Sequence, residues 1–309
     1  MRAAFVLGFT VGLALAGAGA VQAAGLPTAP GKSQTSLTVA GTARRVVVYL
    51  PAKRAPHPAL LLAFHGTSGD PDDLFGATDL ADLAEQNGFI VLAPAARQRG
   101  ENEGDWDNHS GNDRYWETFP NLDPGRNPDL ALVNALLDGA ARAYAVDPGR
   151  VYALGFSNGG FFTVFAAMLL RDRIAAFATS EAGLVTCERT GSCTYPFTVD
   201  ESGASRLGRA PPGECRALLA AAPASCRCAG AEKPAPVPTA GRIPPGLVSH
   251  NAYDDAVSAV YGCALAARIT ALGGQAQVEL WSDRSAGHAI QPGFAGKAWS
   301  FFTAHPLAK

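Results

Sequence analysis

The sequence has little excess of charge in either direction: 25 Lys and Arg stand against 27 Asp and Glu, for a formal net charge of −2. With that balance, and with no basic run anywhere, the electrostatic footprint of a nucleic-acid binder is missing. Cysteine is absent before Cys187 and occurs six times from there on. No histidine lies at ligand spacing among those cysteines, which argues against a zinc site, and no metal is expected. There is no internal repeat and no flexible interdomain linker. What remains is a chain of 309 residues, 48% hydrophobic and 17% charged, a composition and length that suit one large α/β domain.

Apolar runs long enough to span a membrane are also missing, and the nearest approach is at the N-terminus. Arg2 precedes an apolar stretch from Ala3 to about Ala20, followed by Val21-Gln22-Ala23. This reads as a secretory signal peptide over residues 1–23, leaving 24–309 as a single catalytic-sized domain. The run is diluted by glycine and alanine and falls short of the ~18 unbroken apolar residues of an anchor. No cysteine follows the cleavage point to carry a lipid. The expected location is therefore secreted or periplasmic, with no membrane contact after cleavage. In that setting Cys187, Cys193, Cys215, Cys226, Cys228 and Cys263 form a disulfide framework. Cys226 and Cys228 are too close in sequence to bond well to each other. If Cys187 and Cys193 close a small loop, Cys215 and Cys263 would share Cys226 and Cys228 between them.

Downstream, short apolar runs alternate with helical periodicity. After a polar lead-in from Gly25 to Gln34, strands are expected over 35–40, 45–50, 58–64 and 89–94, with helical pattern from Asp72 to Asn87. Residues 97–126, rich in Gly, Asn, Asp and aromatics, read as a long ordered loop. Helix (128–145), strand (151–154), helix (158–170) and strand (174–179) follow, and alternation is lost between about Gly183 and Pro245. It resumes with a strand at 247–249, a helix at 256–272, a strand at 277–281 and a last helix at 295–304. Such alternation predicts an α/β class: a mostly parallel central sheet with helices on both faces and a cysteine-stapled, cap-like insertion over 184–245.

The chemistry-bearing pattern is Gly155-Phe156-Ser157-Asn158-Gly159-Gly160, set between an expected buried strand and an expected helix. Glycines flanking a serine on a strand-to-helix turn relieve crowding, so that the hydroxyl projects into a cleft. The N–H of Asn158, at the helix start, points where a developing oxyanion would sit. Serine needs a base and the base needs an orienting acid. Asp254 follows the strand at 247–249, and His288 follows the last strand, giving the order Ser157, Asp254, His288. His65-Gly66-Thr67, after another buried strand, offers the Thr67 N–H as second oxyanion donor, with His65 read as structural. His57, His109 and His305 read as surface residues.

From about Arg44 to Phe302 the chain resembles the esterase family that includes polyhydroxybutyrate depolymerases and feruloyl or acetylxylan esterases. The matching pieces are Phe64-His65-Gly66, Val146-Asp147-Pro148-Gly149-Arg150-Val151-Tyr152, the Ser157 motif and Gly287-His288. The resemblance implies an α/β-hydrolase fold. His250-Asn251-Ala252-Tyr253-Asp254 is similar to the family's His-Gly-x-x-Asp segment, which favours Asp254 as the acid. Asn251 stands where the family usually has glycine, and this departure keeps Asp255 as an alternative.

Trp106, Tyr115 and Trp116 either rim the cleft as substrate-binding aromatics or pack the long loop onto the body. The insertion either shapes an acyl pocket or stabilises an exported protein. The leading expectation is ester hydrolysis through an acyl-enzyme, with no cofactor and with a small-molecule or polymer ester as partner. The absence of a binding module or Thr-rich linker favours soluble, oligomeric or amorphous substrates. Amide cleavage by the same triad, in a peptidase or polyamide depolymerase, is the alternative. An inactive binding protein on a hydrolase scaffold is a third reading.

Overall fold

A computed structural model describes residues 25–98, 114–118, 124–183, 214–221 and 241–308. The signal peptide, Trp106, His109, Cys187, Cys193, Cys226, Cys228 and most of the 184–245 insertion lie outside the described residues.

Strands β1 (Gly31–Val39) and β2 (Thr42–Leu50) form an antiparallel hairpin through Ala40 and Gly41, both at positive φ. The polar lead-in thus ends at Gly31 rather than Gln34. β1 is an edge strand whose first half is not buried, so it carries no apolar signal, yet it pairs along the whole of β2. β3 (Leu60–Phe64) is followed by α1 (Pro71–Ala77) and α2 (Leu80–Asn87). The single helix expected there is broken at Thr78, which is extended and returns its hydroxyl to Leu74 O at 2.6 Å. β4 (Ile90–Pro94) leads to a two-residue hairpin, β5 (Arg97–Gln98) with β6 (Arg114–Tyr115), inside the region expected as loop.

Next come α3 (Pro128–Tyr144), β7 (Val151–Phe156), α4 (Asn158–Leu169) and β8 (Ala176–Ser180). The chain closes with α5 (Cys215–Ala221), β9 (Gly246–Asn251), α6 (Ala259–Ala271), β10 (Ala276–Trp281) and α7 (Phe294–Thr303).

Eight strands make one sheet in the order β1-β2-β4-β3-β7-β8-β9-β10, parallel from β4 onward. The central strands are buried on both faces, as their unbroken apolar runs predict. In β3, Leu60, Leu62 and Phe64 enter one core with α3, α4 and α6, while Leu61 and Ala63 enter the other with α1, α2 and α7. This is an α/β-hydrolase architecture, with the functional loops gathered at the C-terminal ends of the parallel strands.

One disulfide expectation is overturned. Cys215 bonds Cys263 directly, with Cα atoms 5.1 Å apart, so neither is shared with Cys226 or Cys228. The reason is packing: α5 lies on α6, burying Leu218 against Ala259, Val260 and Ala264, and this contact brings the two cysteines together.

Candidate active site

Ser157 sits at the turn from β7 into α4 with φ 52° and ψ −126°, a left-handed conformation that a serine adopts only under constraint from its surroundings. The constraint is close packing. A Cβ on Gly155 would lie 2.2 Å from Gly159 O, and one on Gly159 would lie 2.2 Å from His65 O. Only glycine permits the strand, the helix and the end of β3 to approach this closely. Ser157 N–H donates to Ser180 O at 3.0 Å, tying the turn to the end of β8.

Asn158 is the first residue of α4, so its N–H has no intrahelical acceptor. Its side chain is committed elsewhere: Oδ1 accepts from Trp116 N at 2.7 Å and Nδ2 donates to Trp116 O at 3.3 Å. Gly66 closes on the same turn, since a Cβ there would meet Ser157 Cβ at 3.3 Å. Thr67 is the next residue in the chain. The turn that carries it is closed by Gly69 N–H to Gly66 O and pinned by Ser68 N–H to Arg114 O at 2.8 Å. Arg114 also pairs with Asp70 at 2.8 Å.

His65 is fully buried. Its Nδ1 lies 2.7 Å from Gly66 O and its Nε2 accepts from Ala96 N at 2.9 Å. A carbonyl can only accept, so Nδ1 carries the proton and the ring is neutral. Burial holds its pKa down to about 4, with Arg114 adding to the effect and the Gly66 carbonyl opposing it. His65 builds the turn, as expected of a structural residue.

His288 Nδ1 lies 2.7 Å from Asp254 Oδ2, and its ring centroid is 4.8 Å from that of Phe156, the residue before Ser157. Asp254 is buried, and its Oδ1 accepts from Ala256 N and Val257 N, each at 2.8 Å. Burial alone would raise this carboxyl. Hydrogen bonds from His250, His288 and Glu181 outweigh it and hold the group below the usual carboxylate range. Asp255 is exposed, whereas the Nδ1 of His288 meets Asp254. Asn251, the departure from the family pattern, is fully employed. Its Nδ2 donates to Asp283 O and Gly287 O at 2.8 Å each, and its Oδ1 accepts from Tyr253 N and Asp283 N at 3.1 Å each. It thus joins the acid loop to the histidine loop, a task glycine has no side chain to perform.

For Tyr115 and Trp116 the substrate-binding expectation gives way to the packing reading, and Trp106 lies outside the described residues. Trp116 is fully buried, stacked on Phe162 at 4.9 Å and edge-on to Phe64 at 5.1 Å, with its indole N–H donating to His65 O at 2.9 Å. It has no face to offer a substrate. Tyr115 is nearly as covered, at 6% exposure. The segment packs the loop onto the body because Arg44 and Asp129, paired at 2.7 Å in the interior, hold it there, Asp129 also accepting from Glu117 N at 2.7 Å.

Sequence reasoning missed two buried polar residues. Glu181, directly after β8, has φ 52° and is inaccessible to solvent, and His250, on β9, is equally buried. One signal was available for Glu181: an acidic residue immediately following an apolar parallel strand, beside the nucleophile strand.

No protein-family model matches the chain. Among curated proteins it is 33% identical over 138 residues to a bifunctional acetylxylan esterase/xylanase of Neocallimastix patriciarum, covering 45% of this chain and 18% of that one. It is 27% identical over 167 residues to a feruloyl esterase B of Neurospora crassa, covering 54% of this chain and 53% of that one. The chain thus spans about half the length of the feruloyl esterase and under a fifth of the bifunctional enzyme. Among solved structures, an acetyl xylan esterase from Aspergillus awamori superposes with a TM-score of 0.55 at 15% identity, covering 88% of this chain and 99% of that one. A thermostable esterase gives 0.54 at 16% identity, over 89% of this chain and 63% of that one. These likenesses bear out the α/β-hydrolase fold and the resemblance to feruloyl and acetylxylan esterases.

Proposed function

We propose that the chain is an exported serine hydrolase that cleaves carboxylic esters, feruloyl or acetyl esters or short polyester oligomers, through an acyl-enzyme on Ser157. The observation that carries this reading is the 2.7 Å contact of His288 Nδ1 with a buried Asp254, set against the strained Ser157 turn through Phe156. The side chains of His65, Asn158, Asn251 and Asp254 are each occupied in hydrogen bonds that fix the loops around Ser157 and His288, which is the preorganisation acyl transfer needs.

In the proposed cycle the Nε2 of His288 takes the Ser157 proton as Oγ attacks the ester carbonyl. Asp254 accepts from Nδ1–H throughout, holding the tautomer and stabilising the imidazolium. The N–H groups of Asn158 and Thr67 hold the tetrahedral oxyanion. Collapse expels the alcohol, which takes the proton from His288, and water then attacks the acyl-enzyme by the same steps in reverse order. Export is supported by the Cys215–Cys263 bond, since disulfides persist in oxidising compartments. The esterase names of the curated relatives favour ester over amide substrates.

The test is product release by the purified mature chain from a soluble feruloyl ester, acetylated xylo-oligosaccharides, hydroxybutyrate oligomers and an aspartate-rich polyamide, with Ser157→Ala as blank. Serine-dependent release from any of the esters supports the proposal, and the productive ester identifies the acyl group. Serine-dependent cleavage of the polyamide alone would overturn it in favour of a peptidase.

A further inference from the structure

Close to Asp254 lies a second carboxyl that the proposed mechanism does not use. Glu181 and Asp254 are both buried, and one ligand atom from each of Glu181, Asp254 and His288 falls within 4.8 Å of the others. Two buried carboxyls this close do not both ionise, so one of them holds a proton. The neighbouring groups decide which one carries it. Asp254 receives two backbone N–H groups on Oδ1 and the imidazole of His288 on Oδ2, all donors that favour a carboxylate.

The two oxygens of Glu181 differ. Oε1 accepts from Trp281 Nε1 at 3.2 Å and from Asn251 N at 3.0 Å, as a carbonyl oxygen would. Oε2 shares the Asn251 N–H at 3.0 Å and faces His250, whose Nε2 is 3.3 Å from it and 3.4 Å from Asp254 Oδ2. His250 Nε2 is also 3.0 Å from Val257 O, which can only accept, so this nitrogen carries a hydrogen. The charged or titratable groups facing Glu181 are thus His250 from β9, Asp254 from the following loop and, beyond it, His288. No Lys or Arg pairs with Glu181 among the described residues.

We propose that Glu181 is a positioning residue of this site: held as the neutral acid, it donates a hydrogen bond from Oε2 to Asp254 and so fixes the carboxylate that orients His288. The inference rests on the triad reading above. Burial raises the Glu181 carboxyl well above the usual carboxylate range, and the hydrogen bond and charge of Asp254 push the same way against the Asn251 and Trp281 donors. Its position gives it reach. Glu181 follows the strand whose last residue, Ser180, accepts from Ser157 N–H, and its own N–H donates to Ser249 O at 3.1 Å. One residue therefore links the nucleophile turn, the acid loop and β10.

Two variants and a spectrum test this. Glu181→Gln keeps a carbonyl acceptor and supplies an N–H donor without charge. On p-nitrophenyl acetate it should hold kcat within about threefold of wild type, with the acid limb of the pH profile unmoved. Glu181→Ala should lower kcat by roughly tenfold or more at little changed KM, the worth of one hydrogen bond to a charged group. A downward shift of the acid limb by about one unit or more in Glu181→Gln would overturn the proposal, because removing a negative charge near His288 would do that. Wild-type kcat in folded Glu181→Ala would overturn it as well. If Glu181→Ala does not fold, the Gln profile decides. Infrared spectroscopy reads the same point without turnover: a protonated-carboxyl C=O band at pH 7 should be present in wild type and missing from Glu181→Gln. A wild-type chain that shows the band but hydrolyses no ester would contradict the functional reading while leaving the neutral acid in place. A missing band would overturn the proposal itself.

Discussion

At the scale of single residues, the site depends on side chains that touch no substrate. Asp254 illustrates the division of labour: one oxygen is held by its own loop and the other by His288. Asp254→Asn should lower kcat by roughly 10³- to 10⁴-fold, since an amide at this place forces the wrong histidine tautomer. Asp255→Asn should stay within about twofold, as expected of an exposed residue. Comparing the two variants in steady-state hydrolysis checks the choice between neighbouring acids. Asn251 is the less obvious case. Asn251→Gly restores the residue usual in the resembled family but severs three hydrogen bonds between the acid and histidine loops and a fourth within the acid loop. We expect kcat to drop by about tenfold, each buried bond being worth ~1 kcal/mol and part of the loss falling on stability instead. Unchanged kcat in Asn251→Gly would show that the histidine loop holds itself.

At the scale of elements, the sequence was most legible where burial is two-sided. The runs that became β3 and β4 are apolar at every position, and β7 and β8 are buried almost throughout, because both faces meet helices. The serine turn was legible for a related reason: a Cβ at 155 or 159 would fall 2.2 Å from a backbone oxygen, so the constraint is written in residue identity. The edge strand β1 was not legible at its start, because half of it faces solvent. The helix break at Thr78 rests on a single side-chain bond that periodicity does not report. Tryptophan in a Gly- and Asn-rich stretch looks like a surface feature. Trp116 is instead buried because a buried ion pair from distant β2 and α3 draws its segment inward, a contact no local pattern announces.

The disulfide belongs to this scale too. Joining α5 to α6 across a sequence separation of 48, it should contribute at most about 4 kcal/mol. Cys215→Ser with Cys263→Ser should therefore lower the thermal midpoint by several degrees, read by calorimetry, while kcat on a small ester changes little, because α6 begins beyond the Asp254 loop. A large loss of kcat at unchanged midpoint would instead assign α5 to the substrate pocket.

At the scale of the whole molecule, the buried histidine at the end of β3 links stability to pH. His65 has a pKa of about 4 in the folded chain against an ordinary 6.5. Between those values the unfolded chain binds a proton that the native chain does not. The contribution is fully present above about pH 6.5 and fades as pH falls towards 4. Urea unfolding at pH 7 and pH 4.5 should show wild type losing roughly 2 kcal/mol more than His65→Asn over that interval. Equal losses would mean that His65 is charged in the native state. Among the described residues no helix is long and apolar enough to cross a membrane.

The central claim is that the Ser157 turn is an armed nucleophile, activated by His288 and Asp254. The most direct measurement is the rate of fluorophosphonate labelling of intact protein, read by mass spectrometry with the modified peptide located. The account predicts one adduct, on Ser157, that disappears in Ser157→Ala and forms at least about a hundredfold more slowly in His288→Ala and Asp254→Asn. An adduct on another residue, or labelling of Ser157 at the same rate without His288, would contradict it.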